Sequence, residues 1–141
     1  MKAVPVIIYP RQQGPDVAFE LFLAHQTPLD ADPLGFLNLR YGKPARWVGG
    51  DENIWDIDVF DDHKAEVAVI SYLKVDPRQE RKGYGSLLVK MAIADAKAKR
   101  VEWVYLRAVG TNQPEHFYTK LGFEEITTND DGDVYMRFAV S

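Results

Sequence analysis

The chain of 141 residues has no cysteine. That removes disulfides, thiol nucleophiles and thiolate metal sites. Histidine is scarce too: His25, His63 and His116 stand far apart, so no metal centre is expected. No apolar run approaches the roughly 20 residues needed to cross a bilayer. No signal-peptide pattern opens the chain, so a cytoplasmic protein with no membrane partner is expected. Positive charge is not in excess either. Seventeen Lys and Arg against 21 Asp and Glu give a net charge of −4. That argues against nucleic acid, which needs a basic footprint, and is compatible with a cationic partner such as an amine. The length predicts one domain over residues 1–141. Such a chain buries roughly 68–70% of its unfolded surface and needs no covalent staples.

What is present is organised around the run from Val67 to Leu88, VAVISYLKVDPRQERKGYGSLL. Its first part, through Val75, is rich in β-branched residues and reads as a buried strand. Pro77 ends it, because proline cannot donate to a sheet ladder. A charged loop, Arg78-Gln79-Glu80-Arg81-Lys82, leads to Gly83-Tyr84-Gly85-Ser86, and a helical pattern starts at Leu87. Strand, glycine-containing loop and helix in that order make an anion site. The first N–H groups of a helix lack partners within it, and glycines let the backbone approach a phosphate. Arg81 and Lys82 add charge, and Ser86 can cap the helix or donate its hydroxyl. Each bond to a charged group is worth about 1.5–3 kcal/mol. Micromolar binding needs about 8 kcal/mol, so four or five amides around a diphosphate could supply most of it. The plain alternative is a tight strand-to-helix turn with solvated charges. A Walker loop is excluded, since no Gly-Lys-Ser/Thr follows. The dinucleotide fingerprint lacks its third glycine, whose place Leu88 takes.

The chain in order predicts a strand over 3–9, a turn cluster over Pro10–Asp16, and a strand or helix over Val17–His25, with strand preferred. Residues 26–46 read as loop, with a short helical turn at Leu34–Leu39. Trp47-Val48 starts a further strand, and 53–60 alternates as a strand. Asp61–Lys64 reads as a hairpin turn. Leu87–Arg100 is a helix, with Leu87, Met91, Ala94 and Ala98 at helical spacing and Leu88 and Ala92 widening the stripe. Val101–Val109 is a strand parallel to the one before the helix. Glu115–Lys120 is a short helix ended by Gly122. A terminal hairpin, Phe123–Thr127 with Val134–Val140, follows. This is an α/β architecture with a mixed sheet.

Two stretches resemble the GNAT superfamily of N-acyltransferases. Val75-Asp76-Pro77, then Gly83-Tyr84-Gly85-Ser86, looks like its acetyl-coenzyme A motif, with Glu80 in the Arg/Gln slot and Arg81 in the glycine slot after it. Phe117-Tyr118-Thr119-Lys120-Leu121-Gly122-Phe123 matches the second motif at every specified position. Ahead of it, Thr111 occupies the Asn slot, Pro114 the Ala slot, and Asn112 comes one residue late. The resemblance covers roughly residues 65–140. It implies a GNAT-like fold, a mixed central sheet with a splayed parallel strand pair and flanking helices, here with reduced helical content in the N-terminal half. It implies acetyl-CoA as co-substrate and an amine-bearing acceptor, small molecule or protein.

On that resemblance, Tyr118 faces the coenzyme sulfur and protonates the leaving thiolate; the alternative is a tyrosine packed beside Phe117 and Phe123. Main-chain groups of Leu73 and Val75 pair with the pantetheine arm, and an N–H near Leu73 holds the thioester oxygen. The diphosphate rests around Gly83–Ser86, and Asn112 contacts the cofactor. Glu66 is the candidate base, with Asp56 and Asp58 as rivals and a water chain as a further route; each carboxylate could equally be plain solvated surface. With no cysteine to carry the acyl group, attack is direct, in a ternary complex. A non-catalytic CoA-binding module and a nucleotide-binding domain are the rival functions. The terminal hairpin is a candidate homodimer contact.

Overall fold

The computed structural model describes residues 5–26, 31–48, 55–76, 83–110 and 113–140. The strands are β1 (Val6–Gln13), β2 (Asp16–Leu23), β3 (Gly35–Gly42), β4 (Val67–Val75), β5 (Trp103–Ala108), β6 (Glu124–Thr128) and β7 (Val134–Ala139). The helices are α1 (Tyr84–Ala98) and α2 (Glu115–Lys120), and two 3-10 turns lie at Pro44–Trp47 and Ile57–Val59. The strands form one mixed sheet in the order β1-β2-β3-β4-β5-β7-β6. The crossover through α1 makes β4 and β5 its parallel pair. Among the described residues before β4 there is no α-helix. No helix among them is long and apolar enough to cross a membrane.

The chain falls into two compact units, Met1–Arg40 with Ile70–Asp95, and Tyr41–Val69 with Ala96–Ser141. In the first, β1, β2 and β3 pair antiparallel, with Val17 opposite Leu39 and Phe19 opposite Leu37. Those four side chains, with Leu21, are buried. In the second, β7 pairs antiparallel with both β5 and β6. Its core is aromatic: Phe60 lies 4.7 Å from Tyr105 and 5.5 Å from Trp55, ring to ring. Fully burying a large apolar side chain stabilises by roughly 1.5–3 kcal/mol, so this cluster anchors the unit.

Several expectations are corrected. The predicted helical turn at Leu34–Leu39 is strand β3. Gly35, Leu37, Leu39 and Tyr41 are buried in alternation, and that period of two outweighs the nearby Pro33. The predicted turn over Pro10–Asp16 is largely strand. β1 runs through Pro10, opposite Phe19, and only Gly14-Pro15 turn. Being first in the sheet order, β1 has a free edge, where a proline without an N–H is tolerated. Trp47 closes a 3-10 turn rather than starting a strand. The strand expected over 53–60 is, in its described part, the turn at Ile57–Val59. There the Asp56 carboxylate accepts the Asp58 N–H at 3.0 Å, a local bond that competes with a ladder. Asp62 likewise accepts the Lys64 N–H at 2.9 Å, in a turn not preceded by a strand. Finally, α1 starts at Tyr84, not Leu87. Its buried stripe is Leu88, Ala92 and Ala96, while Leu87, Ala94 and Ala98 are exposed.

Candidate functional site

β4 changes character along its length. Val67 to Ile70 are buried, whereas Ser71, Tyr72 and Lys74 are exposed and Leu73 and Val75 half-buried. Tyr72 is 50% exposed. The second half of β4 therefore presents side chains at the surface where its first half is core. α1 comes next in the chain. Gly83 adopts φ +80°, which glycine accepts without steric cost. Its carbonyl accepts the Leu87 N–H at 3.0 Å. That is the first helical bond, so the N–H groups of Tyr84, Gly85 and Ser86 have no acceptor within α1. The Tyr84 side chain is buried and pins the first turn, while Gly85 and Ser86 are half-buried. A Cβ built on Gly83 would meet nothing within 4 Å among the described residues. Gln79, Glu80, Arg81, Lys82, Thr111 and Asn112 lie outside the described residues.

A residue missed by the sequence reading fixes how α1 approaches this strand. A Cβ on Gly35 would stand 3.0 Å from Leu88 Cδ1 and 3.6 Å from Val75 Cγ2. The contact with Leu88 is tighter than usual, so a side chain at Gly35 would require Leu88 to shift by a few tenths of an ångström, while Val75 stands at ordinary van der Waals distance. The signal, a glycine opening an alternating run, was hidden by the turn-forming residues before it.

Tyr118 lies on α2, in the second unit. α2 is terminated by paired bonds: Gly122 N–H to the Thr119 carbonyl and Phe123 N–H to the Tyr118 carbonyl, both 3.1 Å. This is the Schellman arrangement, and Gly122 takes the φ of +105° that it needs. The Tyr118 ring packs edge-on to Phe117 at 5.0 Å and Phe123 at 5.7 Å. Both sequence readings of Tyr118 are therefore compatible: it packs, and it carries a phenol. Its hydroxyl has no hydrogen-bond partner among the described residues, and burial pushes its pKa up to about 12. It stays protonated across the physiological range.

Glu66 is exposed, one residue before β4. Asp58 is exposed as well, and Asp56 is engaged in capping its own turn. Among the described residues no group of three or more His, Asp or Glu could hold a metal ion.

The family model described as "Acetyltransferase (GNAT) family" matches residues 8–123. An uncharacterized N-acetyltransferase of Bacillus subtilis (strain 168), CgeE, is 38% identical over 68 residues, which is 48% of this chain and 26% of that protein. The matched stretch thus spans about a quarter of that relative's length. Among solved structures, nourseothricin acetyltransferase superposes with a TM-score of 0.62 at 18% identity, covering 91% of this chain and 67% of that one. PaiA N-acetyltransferase from Thermoplasma acidophilum, solved with coenzyme A, gives 0.61 at 18% identity, covering 88% and 60%. At such identities the structures speak for the fold alone. The open end of β4, the Gly83 cap, the Tyr118 helix and a family match over most of the length agree: the chain belongs to the acetyltransferase (GNAT) family.

Proposed function

We propose that this protein is an acetyl-CoA-dependent N-acyltransferase, its 141 residues acting as one domain in the cytoplasm. It moves an acetyl group to a primary amine by direct attack in a ternary complex. The observation that carries the reading is the start of α1. Three N–H groups without helical acceptors follow a glycine at φ +80°, in the helix that comes next in the chain after β4. The diphosphate rests on the N–H groups around Gly83, Tyr84, Gly85 and Ser86, with Arg81 and Lys82 adding charge. Main-chain groups of Leu73 and Val75 hold the pantetheine arm, and Asn112 adds a contact.

The chemistry must strip a proton from the amine and protect the leaving sulfur. An alkylamine with pKa near 10.4 is neutral in roughly one molecule in 2,500 at pH 7. Glu66, or water held by it, accepts that proton. Tyr118 faces the sulfur. A thiol pKa is about 8.5, so full transfer from a phenol at about 12 is uphill by roughly 5 kcal/mol. Tyr118 therefore serves best as a hydrogen-bond donor to sulfur as charge develops there. The rival reading, a CoA-binding module without turnover, draws on the absence of α-helix among the described residues before β4.

Calorimetry with acetyl-CoA, followed by thiol release over a panel of amines, tests both. Binding with turnover is expected. Binding with no thiol release from any amine favours the module, and no binding at about millimolar ligand overturns the proposal.

A further inference from the structure

The sheet ends on β1 at one side and on β6 at the other, and the two edges are built differently. β6 is five residues long, opens on exposed Glu124 and Glu125, and its register with β7 shifts between Glu125 and Thr127. Shortness, charge and a bulge each deter a further strand. β1 instead holds an unbroken register with β2 over all eight of its residues. Val6 to Tyr9, with Pro5 ahead of them, carry no charge. Ile7 is 40% and Tyr9 37% exposed.

The hydrogen bonds of the hairpin fix which main-chain groups β1 turns outward. The Ala24 N–H donates to the Pro5 carbonyl at 3.0 Å. Bonding and non-bonding positions alternate along an antiparallel pair, so Ile7, Tyr9, Arg11 and Gln13 also turn their main-chain groups towards β2. Gln13 opposite Asp16 then closes the Gly14-Pro15 turn, and Gly14 at φ +60° suits the first position of such a two-residue turn. Val6, Ile8, Pro10 and Gln12 turn theirs the other way. Pro10 has no N–H to offer there, as befits an edge. Val6 and Ile8 each offer an N–H and a carbonyl, and no strand among the described residues lies on that side.

The geometry points to a second copy of this chain as the occupant: β1 pairs antiparallel with β1 of the other copy, about a two-fold axis through Ile7. In this register Val6 of one copy faces Ile8 of the other, and every outward N–H and carbonyl of both residues is answered. Ile7 meets its own counterpart as a close, non-hydrogen-bonded pair, and Tyr9 lies opposite Pro5. A register that sets Val6 or Ile8 against Pro10 leaves a carbonyl without a donor. Charge favours this edge over the terminal hairpin as the contact between copies. The first unit has eight Lys and Arg against seven Asp and Glu, the second nine against fourteen. Copies joined at β1 bring nearly neutral units together, whereas copies joined at the hairpin bring acidic ones together, which repel. Pro5 to Tyr9 is a short contact, of the class below about 1,200 Å² that associates weakly. A dissociation constant of about 10–100 µM is expected. The assignment does not depend on acetyl transfer.

Sedimentation velocity on the full chain, from about 1 µM to about 1 mM, tests it. The unaltered chain is expected to pass from monomer to a closed dimer. Ile7→Lys and Ile7→Glu, at a position already exposed, are each expected to weaken the dimer about tenfold or more, since each sets like charges side by side. An equimolar mixture of the two should recover it, because this register alone sets residue 7 beside itself. Ile8→Pro removes an outward N–H and is expected to weaken the dimer likewise. If it misfolds, the Ile7 variants and their mixture carry the comparison. A chain that stays monomeric to about 1 mM, a dimer indifferent to Ile7→Lys, a mixture that does not recover, or growth past the dimer into an open series overturns the inference.

Discussion

Tyr118 combines two properties that usually oppose each other: it is packed between Phe117 and Phe123, and its hydroxyl is unpaired among the described residues. Packing raises its pKa to about 12, because a phenolate there would be poorly solvated. The sign of the linkage follows. An unfolded tyrosine titrates near 10, so the folded form holds its proton longer. The stabilising contribution is intact below pH 10 and is lost as pH climbs from 10 towards 12. The reaction should accordingly show no basic limb from this group between about pH 8 and 10. Tyr118→Phe is expected to lower kcat by about 10²-fold with little change in KM for acetyl-CoA. In absorbance titrations, the tyrosine lost in that variant should be one that ionises near 12. A variant with full kcat would remove Tyr118 from the chemistry, whereas a missing tyrosine that ionises near 10 would show that burial does not raise its pKa. The sequence singled this residue out because a seven-residue stretch matches a motif at all five positions that the motif specifies. Gly35 was not singled out, since its contacts arise only when Leu88 and Val75 arrive from distant parts of the chain.

At the scale of elements, the helices were the easier half. Glu115–Lys120 was predicted with the bounds that α2 has, because Pro114 and Gly122 punctuate it from both ends. For α1 the spacing was recognised but its origin was displaced, as Tyr84 to Ser86 were read as loop. Alternation misled twice, in opposite directions. In β3 it was real but overlooked beneath turn-forming residues. Before Phe60 it was apparent but false, because the Asp56 carboxylate takes a backbone N–H that a strand would need. The α2 terminus makes a sharper test of element-level reasoning. Gly122 holds φ +105°, and a Cβ there would sit 2.9 Å from the Phe138 ring. Strain and overlap add, so Gly122→Ala should destabilise by about 2–4 kcal/mol. Phe138→Leu in that background should recover part of the loss, since it relieves the overlap but not the strain. Urea denaturation of the two variants and their combination measures this. Strictly additive effects would show that the ring contact carries none of the cost.

For the whole molecule, the readable part follows the motifs. From β4 onward, strand, helix, strand, helix and hairpin stand in the expected order. Ahead of β4 the sequence offered no helix pair; the strands it predicts over 3–9 and 17–25 correspond to β1 and β2, whereas β3 was hidden in a stretch read as loop, and the described residues there form three antiparallel strands and two short turns. The absence of α-helix among those described residues is where this chain departs most from its resemblance, and it bears on what the protein can recognise. A ligand held by main-chain N–H groups of α1 stabilises the folded state by mass action alone. At about 100 times its dissociation constant it contributes about 2.7 kcal/mol. An unfolding entropy of roughly 2.1 cal/mol/K per residue, applied to 141 residues, converts that into a rise in Tm of about 9 °C. Acetyl-CoA and CoA should both produce a shift of this order, because the diphosphate and pantetheine arm are common to them. ATP shares the adenosine and the phosphates but lacks the arm proposed to pair with Leu73 and Val75, so its shift should be smaller at equal concentration. Scanning calorimetry with the three ligands separates the readings. A large shift with ATP and none with CoA would make the chain a nucleotide-binding domain and leave the open end of β4 without a ligand.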